Sequence, residues 1–349
     1  MPDKINAQKN MSHSLKINHA FFLLIALICN SCFSCKGQTE FGTNLLHLDK
    51  TILLPDVKGR IDHMDINLKD QVLYVAALGN NTVEAVDLKD GKVIHSIKNL
   101  EEPQGVCYIP QQQEIFVANG ASGEGNFYNA HSFGKVATVH LGADADDVRY
   151  DSAERKIYVG YGAGGIAIID AVSHQQTGDV KLPGHPESFQ IDKKLRRLFV
   201  NVPDAHMIGV IDLTQLKLID KWVRHSPTAN FPMALDSIRH RLFIGYRHPS
   251  KLLVIDGKTG QQIAINTMVG DADDLYYDGG TAEVFVSGGE GYISIFQQDG
   301  AGVYRQIATI ATSTGARTSL LVPEFKFFVL AARASSGGTA KIIVYKTAQ

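Results

Sequence analysis

The chain has 349 residues, with 34 Lys and Arg against 36 Asp and Glu and a formal net charge of −2 at pH 7. This balance excludes a protein whose overall field attracts nucleic acid or an anionic membrane. The sequence contains no basic run and no helix-turn-helix or RNA-binding pattern, so we expect no nucleic-acid partner. The length alone leaves the number of domains open.

The first 37 residues are typical of a secretory leader. The apolar run at 20–28 is far shorter than the roughly 20 residues that a membrane-spanning helix needs. The sequence leaves the start at Met1 or Met11 open, because residues 1–10 look like an upstream extension. The basic residues that precede the run are Lys4, Lys9 and Lys16.

Three of the four cysteines follow the apolar run, in a pattern that resembles a bacterial lipoprotein signal. In such signals a Cys after a small residue is lipidated and becomes the new N-terminus. We predict lipidation at Cys35, with Cys32 as the alternative, since each follows a Ser; the usual upstream Leu is absent. The lipid would be the only membrane attachment of an exported protein in the bacterial cell envelope, on the outer membrane or facing the periplasm. Only Cys107 would remain in the folded body.

A sequence pattern returns seven times at a spacing of about 42 residues, which predicts a repeat architecture. Its two clearest copies are ADADDVRYD at 143–151 and DADDLYYD at 271–278. The fifth and seventh copies need a slip of one residue to stay aligned with the others. The copies lie at 61–75, 103–117, 145–159, 186–200, 231–245, 272–286 and 316–330.

Each copy predicts two antiparallel strands joined by a polar turn, such as the turn at 151–155 before the β-branched and aromatic run at 156–160. A third strand ends at an apolar residue followed by Asp, and a fourth follows a turn such as DGK or KTG. Four strands per repeat of this length make one propeller blade. We therefore predict an all-β, seven-bladed β-propeller with four-stranded antiparallel blades, forming a single domain over residues 44–349.

The two ends of the chain predict how the ring closes. The sequence stops after a third strand, at 341–345, so the seventh blade lacks its outer strand. The segment at 47–54, before the first copy, has the pattern of a fourth strand. We predict that it completes the last blade and removes an open sheet edge.

The repeated strands resemble the YVTN-type β-propeller repeat family. The resemblance is carried by LYVAA at 73–77, NNTV at 80–83, FVANG at 116–120 and LLVID at 252–256, and it covers nearly the whole chain after the leader. Ala76 and Ala77 stand where the eponymous tetrapeptide has Thr and Asn. The resemblance implies a surface or periplasmic protein, and the relatives of the family include lactonases and redox enzymes. The fold therefore says little about the chemistry.

The first strand of each blade should border the central channel, so the residues that start these strands should meet at one end, which we call the channel mouth. The first position in each strand holds Asp62, Gln104, Asp146, Glu187, Phe231, Asp273 and Arg317. The second position holds His63, Gly105, Asp147, Ser188, Pro232, Asp274 and Thr318. We predict a ligand site at this mouth. Its residues are Asp62, His63, Gln104, Asp146, Asp147, His185, Glu187, Asp273, Asp274 and Arg317.

The repeated acids have two interpretations. They can be structural, capping turns or accepting backbone N–H bonds from the adjacent blade, and this fits the acids of the opposite end, Asp151, Asp192, Asp236 and Asp278. Alternatively, the mouth acids share one site and need a cation, Arg317 or protonation to offset their repulsion. A divalent cation such as Ca²⁺ or Mg²⁺ would then be the cofactor. Its ligands would be Asp62, Asp146, Glu187 and Asp273.

The sequence favours a binding or scaffold protein that is not an enzyme and holds a small polar ligand or an envelope protein at the mouth. We expect a monomer. The alternative is a metal-dependent hydrolase of the lactonase or esterase type, in which an Asp or His63 would act as general base. Redox chemistry is less favoured for two reasons. The single Trp, Trp222, argues against the Trp-rich blade motif of propellers that bind a quinone cofactor, and no C-x-x-C-H motif exists for covalent haem.

Overall fold

The computed structural model describes residues 45–300, 302–335 and 337–348. These residues fold into 28 strands, arranged as seven four-stranded antiparallel sheets around a ring. The predicted fold class, a seven-bladed β-propeller, is thereby confirmed. The leader, with Cys32 and Cys35, lies outside the described residues, and its predicted role stays a prediction.

The first four blades each take four strands consecutive in the chain. Blade 1 contains β2 (Met64–Asn67), β3 (Val72–Ala77), β4 (Thr82–Asp87) and β5 (Lys92–Ile97). Blade 2 contains β6 (Pro103–Ile109), β7 (Glu114–Asn119), β8 (Glu124–Asn129) and β9 (Lys135–His140). Blade 3 contains β10 (Val148–Asp151), β11 (Lys156–Tyr161), β12 (Gly165–Asp170) and β13 (Gln175–Lys181). Blade 4 contains β14 (Phe189–Asp192), β15 (Arg197–Val202), β16 (Met207–Asp212) and β17 (Lys217–Val223).

The last three blades complete the ring, and the seventh takes its outer strand from the other end of the chain. Blade 5 contains β18 (Thr228–Asp236), β19 (Arg241–His248), β20 (Ser250–Asp256) and β21 (Gln262–Thr267). Blade 6 contains β22 (Ala272–Asp278), β23 (Glu283–Gly288), β24 (Tyr292–Gln298) and β25 (Tyr304–Ala311). Blade 7 contains β26 (Ser319–Val322), β27 (Phe327–Ala332), β28 (Ala340–Thr347) and β1 (Leu46–Leu54). Short 3₁₀ turns lie at Leu78–Asn80, Pro203–Ala205 and Pro323–Phe325.

One turn geometry joins the first and second strands of every blade. The last residue before the second strand has a left-handed backbone in all seven, with φ between 52° and 58°. This geometry closes a four-residue hairpin loop and fixes which residues pair across it. In blades 1, 3 and 6, for example, Met64 pairs with Val75, Val148 with Val159 and Leu275 with Val286. The left-handed residues are Gln71, Gln113, Arg155, Arg196, His240, Ala282 and Lys326.

The N-terminal strand closes the ring as predicted. Strand β1 pairs antiparallel with β28, from Leu46 opposite Thr347 to Leu54 opposite Ala340. Ile52 and Leu54 are fully buried in an apolar cluster that also contains side chains of blade 1. The burial of these side chains holds the last blade against the first by the hydrophobic effect.

The apolar core lies mainly between neighbouring blades. The cluster between blades 2 and 3, for example, contains Phe116, Phe127, Val159 and Ile169, with the two Phe rings edge to face at 4.9 Å. Because the sheets pack face to face in this way, the seven first strands are left around a central space. They position the candidate site.

Within the described residues, no helix has the length and apolar character that crossing a membrane requires.

Candidate functional site

A cavity of about 770 Å³ occupies the central channel. Its inner end is at His63, and it extends to exposed residues in the turns between first and second strands, among them Lys69, Pro110 and Ser152. The cavity therefore opens on the hairpin face of the ring, opposite the predicted channel mouth. Its volume lies in the range of pockets that hold small molecules.

The cavity wall mixes polar and apolar side chains on all sides. At the fourth positions of the first strands, Asp65 and Arg149 are polar and Leu320 is apolar. Met233 and Leu275 also border the cavity, but they occupy third positions and their side chains are buried in the clusters between blades. A ligand that matches this wall has both polar and apolar groups.

Several of these lining residues occupy the fourth position of the first strand, which the sequence analysis did not consider. Alternation along a strand places this position on the same side as the second position, which was assigned to the channel. That regularity is the signal that could have identified them. The fourth-position lining residues are Asp65, Cys107, Arg149, Gln190, Tyr276 and Leu320.

Arg149 is held in place by its own neighbours. Its guanidinium donates to the carboxylate of Asp147, to the backbone carbonyl of Val148 at 2.8 Å and to the Ser188 hydroxyl at 3.3 Å. It also lies 5.7 Å from the centre of the Phe189 ring. The charge of Arg149 is thus neutralised within the wall of the cavity.

Asp65 faces the same cavity but has a different environment. Its carboxylate accepts the backbone N–H of Tyr108 at 2.6 Å, and among the described residues it forms no ion pair. Burial raises the pKa of Asp65 to about 6, although backbone hydrogen bonds and the more distant Arg149 act in the opposite direction. At neutral pH the cavity wall therefore carries a carboxylate with no direct cationic partner.

The predicted channel mouth is filled by ion pairs. Arg60 lies 2.8 Å from the buried carboxylate of Asp62, while Asp273 is contacted by Arg317 at 2.8 Å and by Arg247 at 2.5 Å. The space left here is about 20 Å³, which is enough for about one water molecule. We call this group the ion-pair cluster; its members are Arg60, Asp62, Asp146, Glu187, Arg247, Asp273 and Arg317.

Two arginines of the ion-pair cluster were missed by the sequence analysis. Arg60 precedes the first strand of blade 1, and Arg247 lies near the end of β19, so neither belongs to the aligned first-strand positions. The guanidinium of Arg247 lies 3.7 Å from the centre of the Phe231 ring, which occupies a first position. A Phe at this position supports the arginine by cation–π contact instead of adding another charge.

His63 separates the cavity from the ion-pair cluster. Its two ring nitrogens lie 3.6 Å from Asp146 and 3.6 Å from Asp274, on opposite sides of the imidazole. Burial alone would lower the pKa of His63, but these carboxylates raise it well above its usual value. The floor of the cavity is therefore an imidazolium held between two carboxylates.

The acids of the ion-pair cluster differ in how readily they ionise. Burial, with nearby carboxylates adding to it, raises the pKa of Asp62 to about 7 and that of Glu187 to about 8, although His63 and an arginine act on each in the opposite direction. Burial would also raise the pKa of Asp146, but His63 reverses the effect and lowers it. The repulsion predicted from the sequence is thus offset by arginines, by His63 and by retained protons.

Asp147 and Asp274 connect neighbouring blades. Asp147 accepts the backbone N–H of Phe189 at 3.1 Å, and Asp274 accepts that of Ser319 at 2.6 Å. The structural interpretation of the repeated acids thus applies to these two mouth residues. Both also line the cavity.

Gln104 and His185 lie outside the ion-pair cluster, where both contact the exposed carboxylate of Asp144. The amide of Gln104 donates to Asp144 at 3.3 Å, and His185 approaches the same carboxylate at 3.3 Å. His185 also contacts the carbonyl of Gly162 at 2.8 Å. Of the predicted site residues, these two are neither in the ion-pair cluster nor on the cavity wall.

The acids of the hairpin turns are structural, as interpreted from the sequence. Asp151 accepts the backbone N–H of Ala153 at 2.9 Å and pairs with Lys193 of the next blade at 2.7 Å. Asp236 accepts the backbone N–H of Ile238 at 3.0 Å in the same way.

The predicted cation ligands meet in the mouth, but arginines contact two of them. Asp62 and Asp273 each lie within 3 Å of an arginine nitrogen. Across the part of the chain that the structure describes, no three His, Cys, Asp or Glu side chains are grouped so as to hold a metal ion. The divalent cation stays a prediction from the sequence.

No family model matches the chain, and no curated protein matches it. Among solved structures, it is similar to a chain of hydrazine synthase from Kuenenia stuttgartiensis, with 14% identity, a TM-score of 0.73, and coverage of 84% of this chain and 97% of the other. It is also similar to a chain in a mitotic checkpoint complex, with 15% identity, a TM-score of 0.74, and coverage of 96% and 100%. At these identities the similarity shows the propeller fold alone.

Proposed function

We propose that this protein is a binding protein that takes a small molecule into its central cavity from the hairpin face. The observation that carries the proposal is the cavity of about 770 Å³, enclosed by the first strands and lined by both polar and apolar residues. A rigid ring of blades keeps such a pocket formed without a ligand, which lowers the entropic cost of binding. The proposal includes no catalytic turnover.

All the residues predicted at the mouth except Gln104 and His185 have one of two roles. His63, Asp147 and Asp274 form the inner end of the ligand cavity. The ion-pair cluster closes the channel behind them, because a ligand larger than water would have to displace its arginines from Asp62 and Asp273. Breaking such buried pairs leaves uncompensated charges and is costly.

The test is to fill the cavity. Leu320→Trp places a large side chain on the cavity wall, whereas Ile238→Trp adds the same side chain at a position that is 70% exposed. A screen of sugars, lactones, nucleotides and amines should give ligands that raise the melting temperature by about 5 °C at a hundredfold excess over Kd. The Leu320→Trp variant should lose this shift.

The Ile238→Trp control should keep the shift. Ligands that stabilise both variants equally would contradict the cavity as the binding site, as would the absence of any ligand from the whole screen.

We also propose that the protein is exported and held as a monomer on the bacterial envelope by a lipid at Cys35 or Cys32. The support is the leader sequence, with its lysines, short apolar run and Ser-Cys pairs. Replacing Cys32 and Cys35 together by Ser should move the protein from the membrane fraction to the soluble fraction. Retention on membranes would contradict the proposal.

A further inference from the structure

The carboxylates that line the cavity differ in their partners. Asp147 is paired with Arg149, and Asp274 with His63. Asp65 accepts backbone hydrogen bonds, among them that of Tyr108 at 2.6 Å, and within the described part of the chain no Lys, Arg or His nitrogen lies within ion-pair distance of it. The wall of the cavity thus holds one carboxylate whose charge is not balanced by a direct contact.

An unbalanced carboxylate in a partly buried wall is costly unless a cation meets it. Burial raises its pKa to about 6, which reflects this cost. A ligand ammonium group would supply the missing charge through a charge-assisted hydrogen bond, which is stronger than a neutral one.

The surroundings of Asp65 also suit an ammonium group. Tyr276 occupies the fourth position of blade 6 on the wall of the same cavity, and tyrosine rings attract cations. Leu320 occupies the fourth position of blade 7, the neighbour of blade 1, and offers an apolar side chain near Asp65. This arrangement fits a ligand with one cationic end and an apolar body.

A ligand carboxylate finds no equivalent partner on the strands around the cavity. The Arg149 guanidinium already contacts Asp147, Val148 and Ser188. His63 is flanked by Asp146 and Asp274. Of the cations that line the cavity, Lys69 in the hairpin turn at the outer rim is in no ion pair among the described residues. The inner part of the cavity therefore favours an amine over a carboxylate.

From these contacts we infer that the cavity binds a small amphipathic primary amine, whose ammonium group lies on the Asp65 carboxylate and whose apolar body lies against Leu320. This inference rests on the proposed function, and the experiment below separates the two.

The experiment measures binding of three compounds that share one ring, phenethylamine, 2-phenylethanol and 3-phenylpropionate, to the full-length protein by calorimetry. The amine should bind at least tenfold more tightly than the alcohol, and the carboxylate more weakly than either. Hexylamine and hexanol form a second pair that tests the same difference without an aromatic ring.

Asp65→Asn removes the charge and keeps an oxygen that can accept the Tyr108 N–H. This variant should bind the amine at least tenfold more weakly, so that its affinity approaches that of the alcohol. Asp204→Asn is the matched control, because Asp204 is exposed in the 3₁₀ turn Pro203–Ala205. The control should bind the amine as the unchanged protein does.

A second measurement does not depend on any variant folding. Affinity for the amine should weaken as the pH falls through about 6, because protonation of Asp65 removes the charge that the ammonium group needs. The titratable side chains that interact with the charge of Asp65 are Arg149, Cys107, Tyr276 and Tyr74. Affinity for the alcohol should not show this dependence, and Asp65→Asn should abolish it for the amine.

The remaining outcomes are also decisive. If amine and alcohol bind equally, with no dependence on Asp65 or pH, the inference is overturned while the proposed function stands. If none of the five compounds binds but other ligands occupy the cavity, the inference alone is again overturned. If no compound binds, or if Leu320→Trp leaves the binding of every ligand unchanged, both fail.

Discussion

Glu187, at the closed end of the channel, has a carboxyl group that stays protonated near neutral pH. Burial, together with the carboxylates of Asp146 and Asp273, raises the pKa of its carboxyl to about 8. The folded protein therefore binds this proton more tightly than the unfolded chain does. Stability conferred by the protonated group is present at low pH and is lost as the pH rises from about 4.5 through about 8.

Glu187→Gln should abolish this dependence of stability on pH, because the Gln amide resembles the protonated carboxyl in shape and is uncharged at every pH. Relative to the unchanged protein, the variant should gain on the order of 2 kcal/mol in the free energy of unfolding at pH 8.5 and little at pH 4.5. Urea denaturation at the two pH values measures the difference.

Glu324→Gln provides the control for this prediction, because Glu324 is exposed in the hairpin turn of blade 7. It should change the free energy of unfolding by less than about 0.5 kcal/mol at either pH. A Glu187→Gln variant that is destabilised equally at pH 4.5 and pH 8.5 would show that the side chain is needed for packing, and not that it holds a proton.

At the scale of strands and turns, the sequence predicted most of what the structure shows. The hairpin turns recur with one geometry, so a repeat in the sequence was also a repeat in space. The turns after the third strands follow equally local rules: Asp87 and Asp170, for example, each accept two backbone N–H groups from the residues that follow. Such Asx turns depend only on neighbouring residues, which is why the pattern could be recognised.

The candidate site was less predictable because its contacts join different blades. Alignment of the first strands correctly placed Asp62, Asp146 and Asp273 at one end of the channel. It could not show that Arg60 and Arg247 reach across to them, since both arginines lie outside the aligned strands. The long arginine side chains close the channel at the predicted mouth, so the accessible cavity opens on the hairpin face. No local pattern in the sequence indicates which of the two ends is open.

The whole ring depends on one pairing between distant parts of the chain. Strand β1 pairs with β28, so residues near the start of the described chain are hydrogen-bonded to residues near its end. Lys346 adds an ion pair to Asp49 at 2.9 Å across the same two strands. Loss of this closure would expose the edge of blade 7 and its contact with blade 1.

Substitutions of two adjacent residues of β1 test whether this strand closes the ring. Ile52 is 1% exposed and packs in the cluster shared by blades 7 and 1, whereas Leu53 is 59% exposed. Ile52→Ala should lower the free energy of unfolding by about 2–5 kcal/mol, because it leaves a cavity in that cluster. Leu53→Ala should change it by less than about 0.5 kcal/mol.

Urea denaturation measures both changes in the free energy of unfolding, and amide hydrogen exchange shows which strands lose protection. In Ile52→Ala, exchange should accelerate in β1 and β28 together, while β10 on blade 3 keeps its protection. Equal losses in the two variants, or acceleration confined to β1, would mean that this strand lies on the ring without closing it.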